Sequence, residues 1–223
     1  MAAALFDTEA LTKLFENATA EQGAQLQRAA TEATLAGLRG RELTLKNIRA
    51  AMQAVSAAAS TGAARNLVGL DPELLLAQAM DGIDQALLKA VDAHHLALKQ
   101  LQAQGADLQD KHLKTAITEL EKLEDTFFAT MKKVAGDAEG HMASAWVPVL
   151  EKFRVGGSQV GAQAHQTLAD LTDQVQHSLR QQRAAGLRAA QAMAESYTAM
   201  VSGVLLGMAE AMSTAAPAPR KKG

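Results

Sequence analysis

Cysteine is absent from these 223 residues, which excludes disulfide staples and thiolate metal sites and fits a reducing compartment. Aromatic residues make up 3% of the chain, prolines number 4, and isoleucine occurs only at Ile48, Ile83 and Ile117. Sheets draw on β-branched and aromatic side chains, so this scarcity argues against strands. An excess of charge is missing too. The net charge is -2 and the pI about 6.3, which leaves no global attraction to nucleic acid or anionic lipid. The longest uncharged apolar stretch, Ser196 to Ala209, falls short of the roughly 20 residues a membrane-spanning helix needs. The opening residues MAAALFDTEALTKLF carry no basic segment and meet Asp7 and Glu9 early, so they read as an amphipathic helix rather than a secretory signal. The expectation is a soluble, cytoplasmic protein, with attachment to a surface left open.

Alanine and glutamine are abundant, and leucine and methionine supply most of the larger apolar groups. That balance predicts an all-α protein, an elongated helical bundle of long, coiled-coil-like amphipathic helices. Residues 1–66 form an N-terminal helical segment. Within it, 1–39 reads as one helix with Leu5, Leu11, Leu14, Phe15 and Ala18 on a face and Phe6 and Phe15 as its largest anchors. Gly40 breaks it, and a second helix follows through Leu45, Ile48, Met52 and Val55. The small-residue run SAAASTGAAR ends this segment; such helices pack closely but bury little.

Asp71, Pro72 and Glu73 mark a restart, as cap, first helical residue and acidic first turn. From there residues 71–135 carry a near-heptad stripe through Leu76, Met80, Ile83, Leu87, Val91, His94, Leu98 and Leu101. It continues with Leu113, Ile117, Leu120, Leu123, Phe127, Met131 and Val134. Leu113, Ile117, Leu120, Phe127 and Met131 are the predicted self-association seam. An unbroken rod over this span would be on the order of 95 Å long; a break at Gly105 would fold it into a hairpin. LQAQGADLQDK lacks a proline or polar loop, which favours the rod. Residues 136–157 form a short apolar connector around Trp146, with Pro148 expected to open a short helix. Residues 158–212 form a long C-terminal helix, and 213–223 an Ala/Pro tail tipped with Arg220, Lys221 and Lys222.

The stretch from Gly186 to Met212 carries two stripes. Ala199, Gly203, Gly207 and Ala211 recur every fourth residue, a smooth ridge for close helix packing. Tyr197, Met200, Val201, Val204, Leu205, Met208 and Met212 form a bulky apolar face, suited either to a core or to binding an apolar surface or partner, where methionine adapts to irregular shapes.

Chemical apparatus is not apparent. None of the six histidines pairs with another at the i,i+4 spacing that presents two metal ligands. Asp173 and His177 have that spacing but lack a third ligand. GGSQVG at 156–161 lacks the Lys-Ser/Thr of a phosphate loop and reads as a helix hinge. No nucleophile motif or zinc-binding HExxH occurs. The reading is a non-enzyme with no cofactor, no metal and no transmembrane span. Three basic residues on the tail give only weak, salt-sensitive attraction to phosphate, which argues against a nucleic-acid partner.

The chain resembles the phasins, helical proteins that coat polyhydroxyalkanoate granules. The likeness rests on the lack of cysteine, the Ala/Gln-rich helices Leu75–Gln104 and Gln159–Gln182, the heptad-patterned middle and the Ala/Pro tail ending in RKK. It covers about residues 70–223. It implies binding to the granule surface, control of granule size and self-association into a homo-oligomer. The alternative is a homo-oligomeric coiled-coil scaffold that binds another helical protein in a groove. A soluble bundle that inserts into membranes is a third possibility, disfavoured by the short uncharged run.

Overall fold

Asp7, Thr44 and Asp71 each stand just ahead of a helix, and each offers a side-chain oxygen to a backbone N–H of the first turn. Asp7 accepts from Ala10 at 2.9 Å, Thr44 from Asn47 at 3.3 Å and Asp71 from Glu73 at 3.0 Å, so donors that helix geometry leaves orphaned are satisfied. The computed structural model describes residues 6–39, 43–103, 118–181 and 200–208, with the backbone alone over 101–103 and 171–181. Its helices are α1 (Thr8–Glu16), α2 (Gly23–Leu38), α3 (Leu45–Ala64), α4 (Pro72–Ala103), α5 (Leu123–Asp137), α6 (His141–Gly156) and α7 (Gln159–Gln181). A helical stretch, α8, covers 200–208. No strand occurs among the described residues. The protein is all-α.

The N-terminal segment is not one helix over 1–39. α1 stops at Glu16, the short 3-10 turn Ala20–Gln22 follows, and α2 starts at Gly23. The Thr19 N–H donates to Gln22 Oε1 at 2.9 Å, one half of a capping box. The break lets α1 lie on α3 while α2 lies mainly on α4. Pro148 likewise does not open its helix. α6 begins seven residues earlier, after Gly140 at φ +58, and carries Pro148 inside it. Met142, Trp146, Val149 and Phe153 hold α6 to the core while Pro148 faces outward, where the carbonyl it leaves unpaired can meet water.

The rod reading of 71–135 does not survive. Asp84 on α4 accepts hydrogen bonds from Gln159 and Val160, and Glu124 on α5 accepts one from Ser158. In an unbroken helix Asp84 and Glu124 would stand about 60 Å apart. Here both meet the same helix start, so the folded-back alternative holds; Gly105 itself lies outside the described residues.

One apolar cluster runs from Leu11 to Leu205 and draws on every helix. Two glycines seal its tightest crossings. A Cβ on Gly62 would meet the Thr12 carbonyl and Phe15, and one on Gly82 would meet the Gln27 carbonyl and Ala30. These positions admit no side chain. The α2–α4 contacts advance in step, Gly23 with Gln78 and then Gln27 with Gly82, so the two helices run parallel. Among the described residues, no helix is long and apolar enough to cross a membrane.

Candidate interaction surface

Helical geometry decides the orientation of α8. Val201 and Leu205 are one turn apart, whereas Gly203 and Gly207 each lie about 200° around the axis from them. Val201 and Leu205 are buried in the core, Met200 and Val204 pack partly against it, and Met208 is half-buried. The small ridge therefore faces out. Gly203 and Gly207 are exposed, with open space where a Cβ would stand. Close packing occurs instead at Gly62 and Gly82. Tyr197, Ala199, Ala211 and Met212 lie outside the described residues.

The seam residues are engaged within the chain. Leu120, Phe127 and Met131 are buried. Phe127 meets the Phe128 ring edge-on at 5.4 Å and Phe153 at 6.3 Å, and the Ser56 hydroxyl approaches the Met131 sulfur at 3.6 Å. Leu113 and Ile117 lie outside the described residues. The sole tryptophan is fully buried and donates its Nε1–H to Ser60 Oγ at 3.1 Å.

Large apolar side chains come to the surface elsewhere. Leu67, Val68 and Leu74 are 73%, 57% and 61% exposed, all within eight residues of the α3–α4 connection. The connection is braced from beneath. The Asn66 amide donates to the carbonyls of Phe15, Glu16 and Ala18, its Oδ1 accepts from the Leu70 N–H at 2.9 Å, and Leu67 N–H donates to the Glu16 carbonyl. A firm base thus carries an apolar tip. Val147 and Val155 on α6 are also exposed. They lie eight residues apart, on one side of that helix. The exposed tip was not foreseen; VGLDPELLL reads as a helix restart, and nothing local says which leucines the bundle will cover.

An open groove of about 600 Å³ runs between α3 and the α5–α6 connection, with Thr61, Arg65, Lys133, Asp137 and Met142 among its lining. Lys133 pairs with Asp137 at 3.0 Å, so its charges are largely answered within the lining.

Polar groups collect where α7 begins. Gly157, at φ +74, adopts the left-handed backbone that favours glycine. The GGSQVG stretch is therefore a hinge followed by a cap. Gln159 and Val160 donate to the two oxygens of Asp84 at 2.8 and 3.1 Å. Ser158 Oγ accepts from Gly161 N–H at 3.1 Å and donates to Glu124 at 3.3 Å, and Gln163 donates to Asp92 at 2.7 Å. Burial pushes the Asp84 carboxyl up, against the pull of the two N–H bonds, and the neighbouring Asp81 and Glu124 charges push it further. Burial also raises Asp81, opposed by Lys152. The carboxylates of Asp84, Glu124 and Asp92 are each spent on capping or bracing. His94 is sealed in the core and held down to about 4 by burial, with a smaller push from His95. The side chains of Asp173 and His177 lie outside the described residues. Among those described, no three His, Asp or Glu gather in a way that could hold a metal ion.

The model of a protein family described as a family of unknown function, DUF6781, matches residues 1–214. No curated protein and no solved structure matches the chain.

Proposed function

The chain belongs to the DUF6781 family, and we propose that it acts without bond chemistry, as a cytoplasmic helical protein that binds an apolar surface. The surface in view is that of a polyhydroxyalkanoate granule, as the resemblance to phasins implies. The braced tip of Leu67, Val68 and Leu74 carries this reading. Covering a large aliphatic side chain contributes about 1.5–3 kcal/mol, so three of them can hold the protein reversibly to a greasy phase. Co-sedimentation of purified protein with isolated granules tests it. Wild type should pellet with granules, and L67S/V68S/L74S should lose most of that binding while keeping its helical circular dichroism. Wild type that stays in the supernatant ends this reading.

A second reading, a homo-oligomeric scaffold that binds a helical partner, draws support from the outward Gly203–Gly207 ridge. Both glycines are exposed with no atom within 4 Å of where a Cβ would stand, which leaves room for a close approach there. Light scattering tests it: G203L/G207L should reduce the mass of any oligomer, and a wild-type mass for the variant removes the ridge as its interface.

A further inference from the structure

Building on the surface-binding reading above, we propose that the tip of Leu67, Val68 and Leu74 selects an uncharged polyester surface over one that carries anionic headgroups, because carboxylates stand among its apolar side chains.

The tip meets an apolar phase with its backbone already answered. The N–H groups of Leu67, Gly69 and Leu70 donate inward, to the Glu16 carbonyl, the Asn66 carbonyl and Asn66 Oδ1. Those of Leu74 and Leu75 reach the Asp71 carbonyl, and that of Glu73 reaches the Asp71 side chain. Donors paired in this way lose little when water leaves. The turn is also pre-formed, with Gly69 at φ +73 and the Asn66 amide holding three carbonyls beneath it, so docking orders little backbone. A protein partner fits less well. Three side chains fall far short of the roughly 20–30 residues that a stable interface uses on each side.

Acid stands within the tip itself. Asp71 lies between Val68 and Leu74 in the chain, Glu73 lies next to Leu74, and both are exposed. Glu16, whose carbonyl holds the Leu67 N–H, adds a third carboxylate. The bases nearby do not offset them. Lys13 pairs with Glu9 at 2.7 Å, and in the adjoining groove Arg65 and Lys133 are matched by Asp137 and Glu139. An uncharged phase accepts this arrangement, since the apolar side chains enter it while the carboxylates stay at its edge in water. An anionic surface brings like charge against Asp71 and Glu73 within a Debye length, about 8 Å at physiological salt. Each such charge changes binding by about three- to fivefold.

Co-sedimentation of the full chain with two sets of polyhydroxyalkanoate particles tests this. One set is coated with phosphatidylcholine; in the other about a third of that lipid is phosphatidylglycerol. Wild type should bind the uncharged set about tenfold more tightly, and the gap should shrink as salt rises from about 0.1 to about 1 M. Asp71→Asn combined with Glu73→Gln keeps an acceptor for the residue 73 N–H and should close most of the gap. Glu121→Gln combined with Asp125→Asn removes the same charge at the start of α5, which meets α4 near Asp84, ten residues and about 15 Å beyond Leu74. That pair should leave the gap in place. Arg220–Lys222 are present in every protein compared. Equal wild-type binding to both sets overturns the selection and leaves surface binding standing. So does a gap that Asp71→Asn/Glu73→Gln fails to narrow, or one that both double variants narrow alike. Wild type that sediments with neither set ends the surface-binding reading, and the selection with it.

Discussion

Asp84 and His94 sit three turns apart on α4, both buried, and burial moves their titrations in opposite directions because one is charged when it loses a proton and the other when it gains one. For His94 the folded value, about 4, lies below its ordinary 6.5. The unfolded chain therefore takes up a proton first as pH falls, and the fold loses stability between pH 6.5 and 4, by roughly 3 kcal/mol. Urea midpoints should show this as a downward slope that His94→Gln flattens, even where that variant is weaker at pH 7. For Asp84 the folded value is raised above 3.8. Its ionised form costs stability at neutral pH, and that cost is relieved on acidification through the raised value. Relative to Asp84→Asn, wild type should gain stability as pH is lowered from 7 toward 4. A constant difference between the two proteins would show that Asp84 is not held in a costly ionised state. Neither site was visible in the pattern of residues. His94 reads as a member of a heptad stripe, and Asp84 as one more acid on a helix, until α7 is laid across it.

Among the helices, glycine separates contact from composition. A Cβ at Gly82 would meet the backbone of α2, whereas at Gly136 near the end of α5 it would meet nothing within 4 Å. Gly82→Ala should therefore destabilise by about 1–3 kcal/mol through overpacking, even with better helix propensity. Gly136→Ala should be neutral or stabilise by up to about 1 kcal/mol. Thermal melts followed by Trp146 fluorescence distinguish the two. Asn66→Ala should cost about 2 kcal/mol or more, because it removes the partner of several carbonyls and the Leu70 N–H. The helix start at Asp71 was legible because capping is local chemistry, whereas the starts behind Asp7 and Thr44 were read only as parts of longer helical stretches. The close crossing was not read from the sequence, although Ala79, Gly82, Ala86, Ala90, Ala93 and Ala97 form a buried small-residue stripe on α4. The same kind of stripe at Gly203 and Gly207 faces out. Spacing alone does not tell the two apart, since each describes one side of a helix and not what lies against it.

For the molecule as a whole, the meeting of Asp84 and Glu124 at one helix start makes a folded-back bundle in place of a rod. A compact chain of this length has a radius of gyration of about 17 Å, and a rod on the order of 95 Å long would be far more extended. Small-angle scattering from a monomeric sample should give a value near the compact one, a few ångströms larger if terminal residues extend from the bundle. A longest dimension near the rod's would contradict the packing of α5 on α3. The consequence for function is that the most apolar helical faces, including Leu120, Phe127, Met131, Val201 and Leu205, are consumed in the interior. Among the described residues, the large apolar side chains an outside surface meets are those left over: Leu67, Val68, Leu74, Leu96, Val147, Val155 and Leu206.

Helical class, the absence of disulfide and thiolate chemistry, the capped start at Asp71 and the apolar stripes were all determined by the sequence alone. Each depends on composition or on neighbours within about a turn, where backbone sterics and hydrogen bonding act. Tertiary structure alone decided which stripes turn inward, that α4 and α5 meet at one helix start, and that Asp84 caps a helix 75 residues away. Those outcomes depend on which helix lies against which, and a heptad stripe satisfies its burial equally well against its own chain or a partner. Space was found for the bulky side of α8 in the core, and the glycine side was left to face the solvent.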